Sequence, residues 1–308
     1  MMDFKKEFRE RQDHVNSVIF SLLPEETGYQ KTVIEAMKYS VRAGGKRLRQ
    51  IMMWELYRIF SASRGEEADE SLIGPFLAAI EMIHTFSRVH DDLPAMDNDA
   101  LRRGLPTTHV KFGHAMGVLA GDGLLNFSVE TACRAFELKN TGEKTAERNL
   151  RVTRALKILY EKAGIYGMIC GQTLDVLKDG QPLDADEIAF IYDNKTCALI
   201  EAAVLCGAVL GGAEEKDLAD LSRMSVSIGR AFQIMDDILD IVADEKVLGK
   251  PVGSDAKNKK STYAAIHGVE ESRKKVREYT DRALFTADGL RDGEFLRELI
   301  KSLAEREY

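Results

Sequence analysis

At 308 residues, with 44% hydrophobic and 30% charged side chains, the chain has the composition of a globular protein with a full apolar core. A net charge of -7 argues against a general nucleic-acid surface, and the charged opening "MMDFKKEFRERQDH" lacks the apolar run of a signal peptide. Four cysteines (Cys133, Cys170, Cys197 and Cys206) form no C-x-x-C pair, which argues against a disulfide scaffold and fits buried thiols in a reducing cytoplasm.

In chain order, helices are expected over residues 5–22, 28–43, 47–61, 71–92, 110–137, 145–177, 185–211, 215–243, 261–287 and 293–306. No stretch sustains the period-two alternation of a strand. Several helices are apolar on most faces, as the central helices of a large bundle are. With only six prolines and no Pro/Ser-rich linker, residues 1–308 read as one all-α domain.

The first charged motif, "AGGKRLRQ", sets two glycines before Lys46, Arg47 and Arg49 at a helix start. Backbone N–H groups and the positive end of the dipole suit a phosphate there; a turn followed by surface cations is an equal alternative. The next helix, "SLIGPFLAAIEMIHTFSRVHDD", puts Ile80, His84, Ser87 and Asp91 on one stripe. Pro94 stops it, so Asp91 and Asp92 sit at a helix end while Asp97 returns from the turn beyond. Two carboxylates about 4 Å apart repel by roughly 4 kcal/mol at an effective dielectric of 20, so this crowding demands a cation. Directly downstream, "LRRGLPTTH" supplies Arg102 and Arg103, whose planar forks suit phosphate oxygens.

The most membrane-like run, "CALIEAAVLCGAVLGGA", is short for a span and carries Glu201, so a buried helix and no membrane partner are expected. Just before it, "DNKT" places Lys195 and Thr196 in a helical run, where a lysine among apolar residues requires an anionic partner. "FQIMDDILD" then sets Gln233, Asp236, Asp237 and Asp240 on one helix face, with no lysine at i+4 to relieve the repulsion. A solvated acidic face is the ordinary reading of such a run, but the apolar surroundings argue for a second carboxylate niche in a shared cavity. Carboxylates without cysteine or a histidine pair point to Mg²⁺, Mn²⁺ or Ca²⁺ rather than zinc. Mg²⁺ shares its remaining positions with water and substrate phosphates, so a phosphate or diphosphate bridging the clusters is expected. Finally, "GKPVGSDAKNKKST" offers Lys250 and Lys260 in a loop, either a lid or simply solvated.

Together "GGKRLR", "IHTFSRVHDDLPAMDNDALRRGLPTTH", "GQTLD", "NKT", "FQIMDDILD" and "GKPVGSDAKNKKSTY" resemble, in order and over nearly the whole chain, the trans-type polyprenyl synthase family and its bacterial farnesyl diphosphate synthases. The resemblance implies an isoprenoid-synthase bundle around a central cavity, usually a homodimer. It implies Mg²⁺-dependent head-to-tail condensation of an allylic diphosphate with isopentenyl diphosphate. Three Mg²⁺ ions, for which Mn²⁺ can substitute, would be held by Asp91, Asp92, Asp97, Asp236, Asp237 and Asp240. Lys46, Arg49, His84 and Arg103 correspond to the isopentenyl diphosphate pocket. Arg102, Lys195, Lys250 and Lys260 correspond to the allylic diphosphate grip, and Thr196 and Gln233 to positions whose oxygens face the allylic cation.

An aromatic at Phe86, five residues before Asp91, goes with a fifteen-carbon product in relatives, while Ser87 is too small to block a chain; a geranylgeranyl synthase is the alternative. By helical spacing alone Phe86 is rotated off the aspartate stripe, and a core phenylalanine is an equal reading. Arg88 departs from a usually apolar position and is placed at i, i+4 to pair with Asp92. A non-catalytic prenyltransferase subunit would lack some of these aspartates or cations, and a terpene cyclase has no use for a second diphosphate site. A helical Ca²⁺ store is the remaining alternative, separable because it would bind metal equally well without diphosphate.

Overall fold

The computed structural model describes residues 2–137, 143–242 and 261–306. Four helices come first: α1 (Phe4–Ser21), α2 (Lys31–Arg42), α3 (Leu48–Ser63) and α4 (Glu70–Asp91). The Asp69 carboxylate caps α4, accepting from the Ser71 N–H at 3.0 Å. Beyond α4 lies an antiparallel hairpin too short to carry an alternating pattern, β1 (Leu101–Arg102) paired with β2 (Leu105–Pro106).

The next helices divide where the sequence predicts continuity. In place of one helix over 110–137 stand α5 (Thr108–Phe112) and α6 (His114–Cys133), parted where Gly113 adopts φ 90° and ψ 157°, and a tight 3₁₀ turn, Arg134–Phe136. Residues 145–177 form α7 (Glu143–Ala163) and α8 (Met168–Leu177), parted by a turn in which the Gly167 N–H donates to Gly164 O at 3.0 Å. The run over 185–211 stays helical, but α9 (Ala185–Ile191) widens into a π turn, Tyr192–Cys197, before α10 (Ala198–Gly211). After α11 (Glu215–Val242), Gly268 at φ 79° splits the expected 261–287 helix into α12 (Tyr263–His267) and α13 (Val269–Asp288). Glycine takes these positive φ values without the Cβ clash that other residues meet. The described chain closes on α14 (Glu294–Ala304).

Every residue of α10 is buried, and the helix packs on α3, α7 and α11. By length and composition Glu70–Asp91 and Ala185–Gly211 could each cross a membrane, but 83% of each apolar window is buried within the protein. Both are core helices, as expected for the second. The cysteine expectation holds for Cys197 and Cys206 only: Cys133, the last residue of α6, is exposed, and Cys170 of α8 is half-buried. The main apolar core joins α3, α4, α6, α7 and α10, and a smaller one lies between α9, α11 and α13.

Candidate active site

Asp91 is the last residue of α4, and Asp92 caps it. The Asp97 N–H donates to Asp91 O at 2.9 Å, so the third carboxylate does return from the turn. Gln172 of α8 donates to Asp91 Oδ1 at 2.9 Å. Burial, with the Asp97 and Asp92 charges adding to it and Lys195 and Arg102 opposing, raises the Asp91 carboxyl to about 6. Buried Asp92 pairs with Arg102 at 2.6 Å, and Arg102 also reaches Asp99 at 3.2 Å. The expected Arg88–Asp92 pair does not form: the hairpin brings the Arg102 fork to Asp92 instead. Arg88 makes no ion pair among the described residues. It lines the cavity wall, where burial and the neighbouring Arg103 and Arg102 lower it to about 10.

The π turn carries the next group. A Cβ on Gly171 would lie 2.3 Å from Lys195 N, so α8 presses its backbone directly onto this turn. One helical turn further along α8, Asp175 accepts from Lys195 Nζ at 2.6 Å. This is the anionic partner that the sequence requires of Lys195. An extra residue per turn in a helix is rare and recurs at functional sites. Here Thr196 Oγ1 donates to Gln233 Oε1 at 2.8 Å, and Gln233 Nε2 to Asp237 Oδ1 at 3.1 Å. Tyr192, which sequence reading did not single out, donates its hydroxyl to Asp237 Oδ2 and accepts from the Tyr263 N–H at 3.0 Å.

On α11, Asp237 and Asp240 are buried, and Asp236 is the accessible member with its side chain 40% exposed. Arg306 donates to Asp236 Oδ1 at 2.8 Å and stacks 3.8 Å over the Phe232 ring. Seventy residues separate the two, so no local pattern could reveal the pair.

Lys46, Arg49 and Arg103 form no ion pair among the described residues, and the buried Arg49 Nε has no hydrogen-bond partner. Arg103 packs over the glycine loop, its guanidinium 2.7 Å from where a Gly45 Cβ would sit. His84 lies among these cations. Burial first, then Arg49, Arg88 and Arg103, hold its imidazole far below the usual value and therefore neutral at physiological pH. Lys250 and Lys260 lie outside the described residues.

Two cavities adjoin these groups. A small polar one of about 130 Å³ is lined by Asp175, Lys195, Thr196, Gln233, Asp237 and Thr262. A larger one of about 760 Å³ is lined by Asp91, Lys195 and Thr196 together with Phe86, Val118, Ile169 and Leu177. Phe86 is thus a cavity wall as well as nearly buried, its ring edge-on to His90 at 5.8 Å. Ser87 lines the same cavity.

Among the described residues no three carboxylate, histidine or cysteine side chains converge into a ready-made ion cage. Ions shared with substrate phosphates need only one or two protein carboxylates each. Asp91 at the end of α4 and the accessible Asp236 of α11 are hard oxygen donors of that kind. The donor set fits Mg²⁺.

A family model described as polyprenyl synthetase matches residues 30–291. The chain is 40% identical over 278 residues to the farnesyl diphosphate synthase of Geobacillus stearothermophilus, covering 89% of this chain and 88% of that one. It is 39% identical over 268 residues to the geranylgeranyl diphosphate synthase of Cyanophora paradoxa, covering 87% and 84%. The crystal structure of a geranyltransferase from Helicobacter pylori matches the fold with a TM-score of 0.81 at 26% identity, covering 98% of this chain and 99% of that one.

Proposed function

The chain belongs to the polyprenyl synthetase family, and we propose that within it this prenyltransferase is a farnesyl diphosphate synthase. It would condense dimethylallyl and then geranyl diphosphate with isopentenyl diphosphate. The observation that carries the reading is the junction at Lys195 and Thr196, which line both the polar cavity and the apolar one. A diphosphate head and a prenyl tail require that adjacency.

Asp91, Asp92 and Asp97 on one side, and Asp236, Asp237 and Asp240 on the other, are the residues that would hold Mg²⁺, three ions by family resemblance. When bound, the metal supplies positive charge to the leaving diphosphate. Lys195 and Arg102, with Lys250 and Lys260, grip that anion as its C–O bond breaks and leaves an allylic cation. The Thr196 hydroxyl and the Gln233 amide oxygen face the cation. Lys46, Arg49 and Arg103, with neutral His84 as a hydrogen-bond donor, orient isopentenyl diphosphate so that its double bond attacks. The proton lost from the new carbon skeleton passes to the departed diphosphate, so no side-chain base is needed.

Phe86 forms the floor that stops the chain at fifteen carbons. A geranylgeranyl product is the second reading, favoured by the similarity to a geranylgeranyl diphosphate synthase. We take residues 1–308 as one cytoplasmic prenyltransferase domain acting as a homodimer.

Pyrophosphate release tests the reading. It should require Mg²⁺ together with both an allylic diphosphate and isopentenyl diphosphate. Release from an allylic diphosphate alone would point to a cyclase, and metal binding without any turnover to an acidic ion store.

A further inference from the structure

Arg47 lies between the two cations assigned to isopentenyl diphosphate, yet it faces away from them into the protein. It is 5% exposed and holds a left-handed backbone, φ 51°, as the residue preceding α3. That conformation is unfavourable for a non-glycine residue and persists only where the surroundings impose it. Each guanidinium nitrogen is occupied. Nη1 donates to Glu81 Oε1 of α4, Nε to Asn16 Oδ1 of α1 at 2.8 Å, and Nη2 to Val41 O of α2 at 2.8 Å. Glu81 is equally committed, its Oε2 accepting from Gln50 at 2.7 Å and its Oε1 from Thr85 at 3.3 Å.

Stability alone does not account for such a pair, because apolar residues of similar volume are often as stable or more so. Its position has a consequence. Arg47 is adjacent to Lys46 and two residues from Arg49, while Glu81 is one turn before His84 on α4. Arg103 rests on Gly45 of the same loop. Resting on the farnesyl diphosphate synthase reading, we infer that Arg47 and Glu81 are positioning residues. Their buried latch fixes the register of Lys46, Arg49 and Arg103 against His84, and so sets the affinity for isopentenyl diphosphate without touching it.

The double variant Arg47→Met/Glu81→Met removes the latch while leaving net charge unchanged, so an altered affinity cannot come from bulk electrostatics. Steady-state kinetics on the full chain should show the KM for isopentenyl diphosphate raised at least tenfold and that for geranyl diphosphate within twofold. Titration calorimetry with inorganic pyrophosphate in EDTA reads the cation cradle apart from turnover, and its affinity should also fall at least tenfold. Arg47→Lys, which keeps the charge but loses the three-way fork, should show the same bias to a smaller degree. A folded double variant with unchanged values, or with equal rises for both substrates, overturns the proposal. Failure of both variants to fold overturns it as well, making the pair a stability element. A wild type that binds pyrophosphate without prenyl transfer would instead refute the synthase reading and leave the calorimetric comparison valid.

Discussion

Asp91→Asn should stabilise the metal-free protein while removing turnover. Burial, with Asp97 and Asp92 close by, raises this carboxyl from 3.8 to about 6 in the fold. The folded chain therefore holds the proton more tightly than the unfolded chain does. The stability that this group contributes is present at low pH, falls as pH rises from about 4 to about 6, and stays lower above that window. A shift of about two units corresponds to about 3 kcal/mol at roughly 1.36 kcal/mol per unit. Asparagine keeps an acceptor for Gln172 and has nothing to ionise. Urea unfolding in EDTA across pH measures the effect. Variant and wild type should coincide near about pH 4, and the variant should lead by about 3 kcal/mol at neutral pH. Turnover with Mg²⁺ should fall by about two or more orders of magnitude. A variant no more stable than the wild type at neutral pH, or a gain that ignores pH, would refute the argument from crowded carboxylates.

The two diphosphate sites should also separate kinetically. Replacing Lys46 or Arg49 should raise the KM for isopentenyl diphosphate more than that for the allylic partner, and replacing Lys195 or Lys260 should do the reverse; matched effects would undo the assignment. Phe86→Ala should lengthen the product beyond fifteen carbons, since it opens a wall of a cavity that already exists. Its stability loss should stay below the roughly 3–5 kcal/mol typical of a fully packed phenylalanine, and an unchanged product from a folded, active variant would place the floor elsewhere.

The acidic motifs were legible because like charges crowded at helix ends are expensive wherever the chain runs, and Pro94 showed where the helix must stop. The need of Lys195 for an anion was legible for the same reason, and Asp175 meets it. What the sequence hid depends on contacts between distant segments. The π turn follows from α8 pressing against Lys195 N, and the Arg306–Asp236 pair joins the chain's end to α11. Spacing placed Arg88 near Asp92, but the hairpin, too short to leave a pattern, delivers a better-aimed arginine. Phe86 lay off the aspartate stripe by helical geometry, and only the opposing walls from α6 and α8 make it part of the cavity. Gly113 and Gly268 sit in helical patterns whose continuity only their positive φ values break.

The measurement that bears most directly on the account is chromatography of dephosphorylated products from the wild-type protein given Mg²⁺, dimethylallyl diphosphate and isopentenyl diphosphate. A predominantly fifteen-carbon alcohol is the predicted result. A predominantly twenty-carbon alcohol would contradict the assignment of Phe86 as the floor, and the absence of any elongated product would contradict the account as a whole.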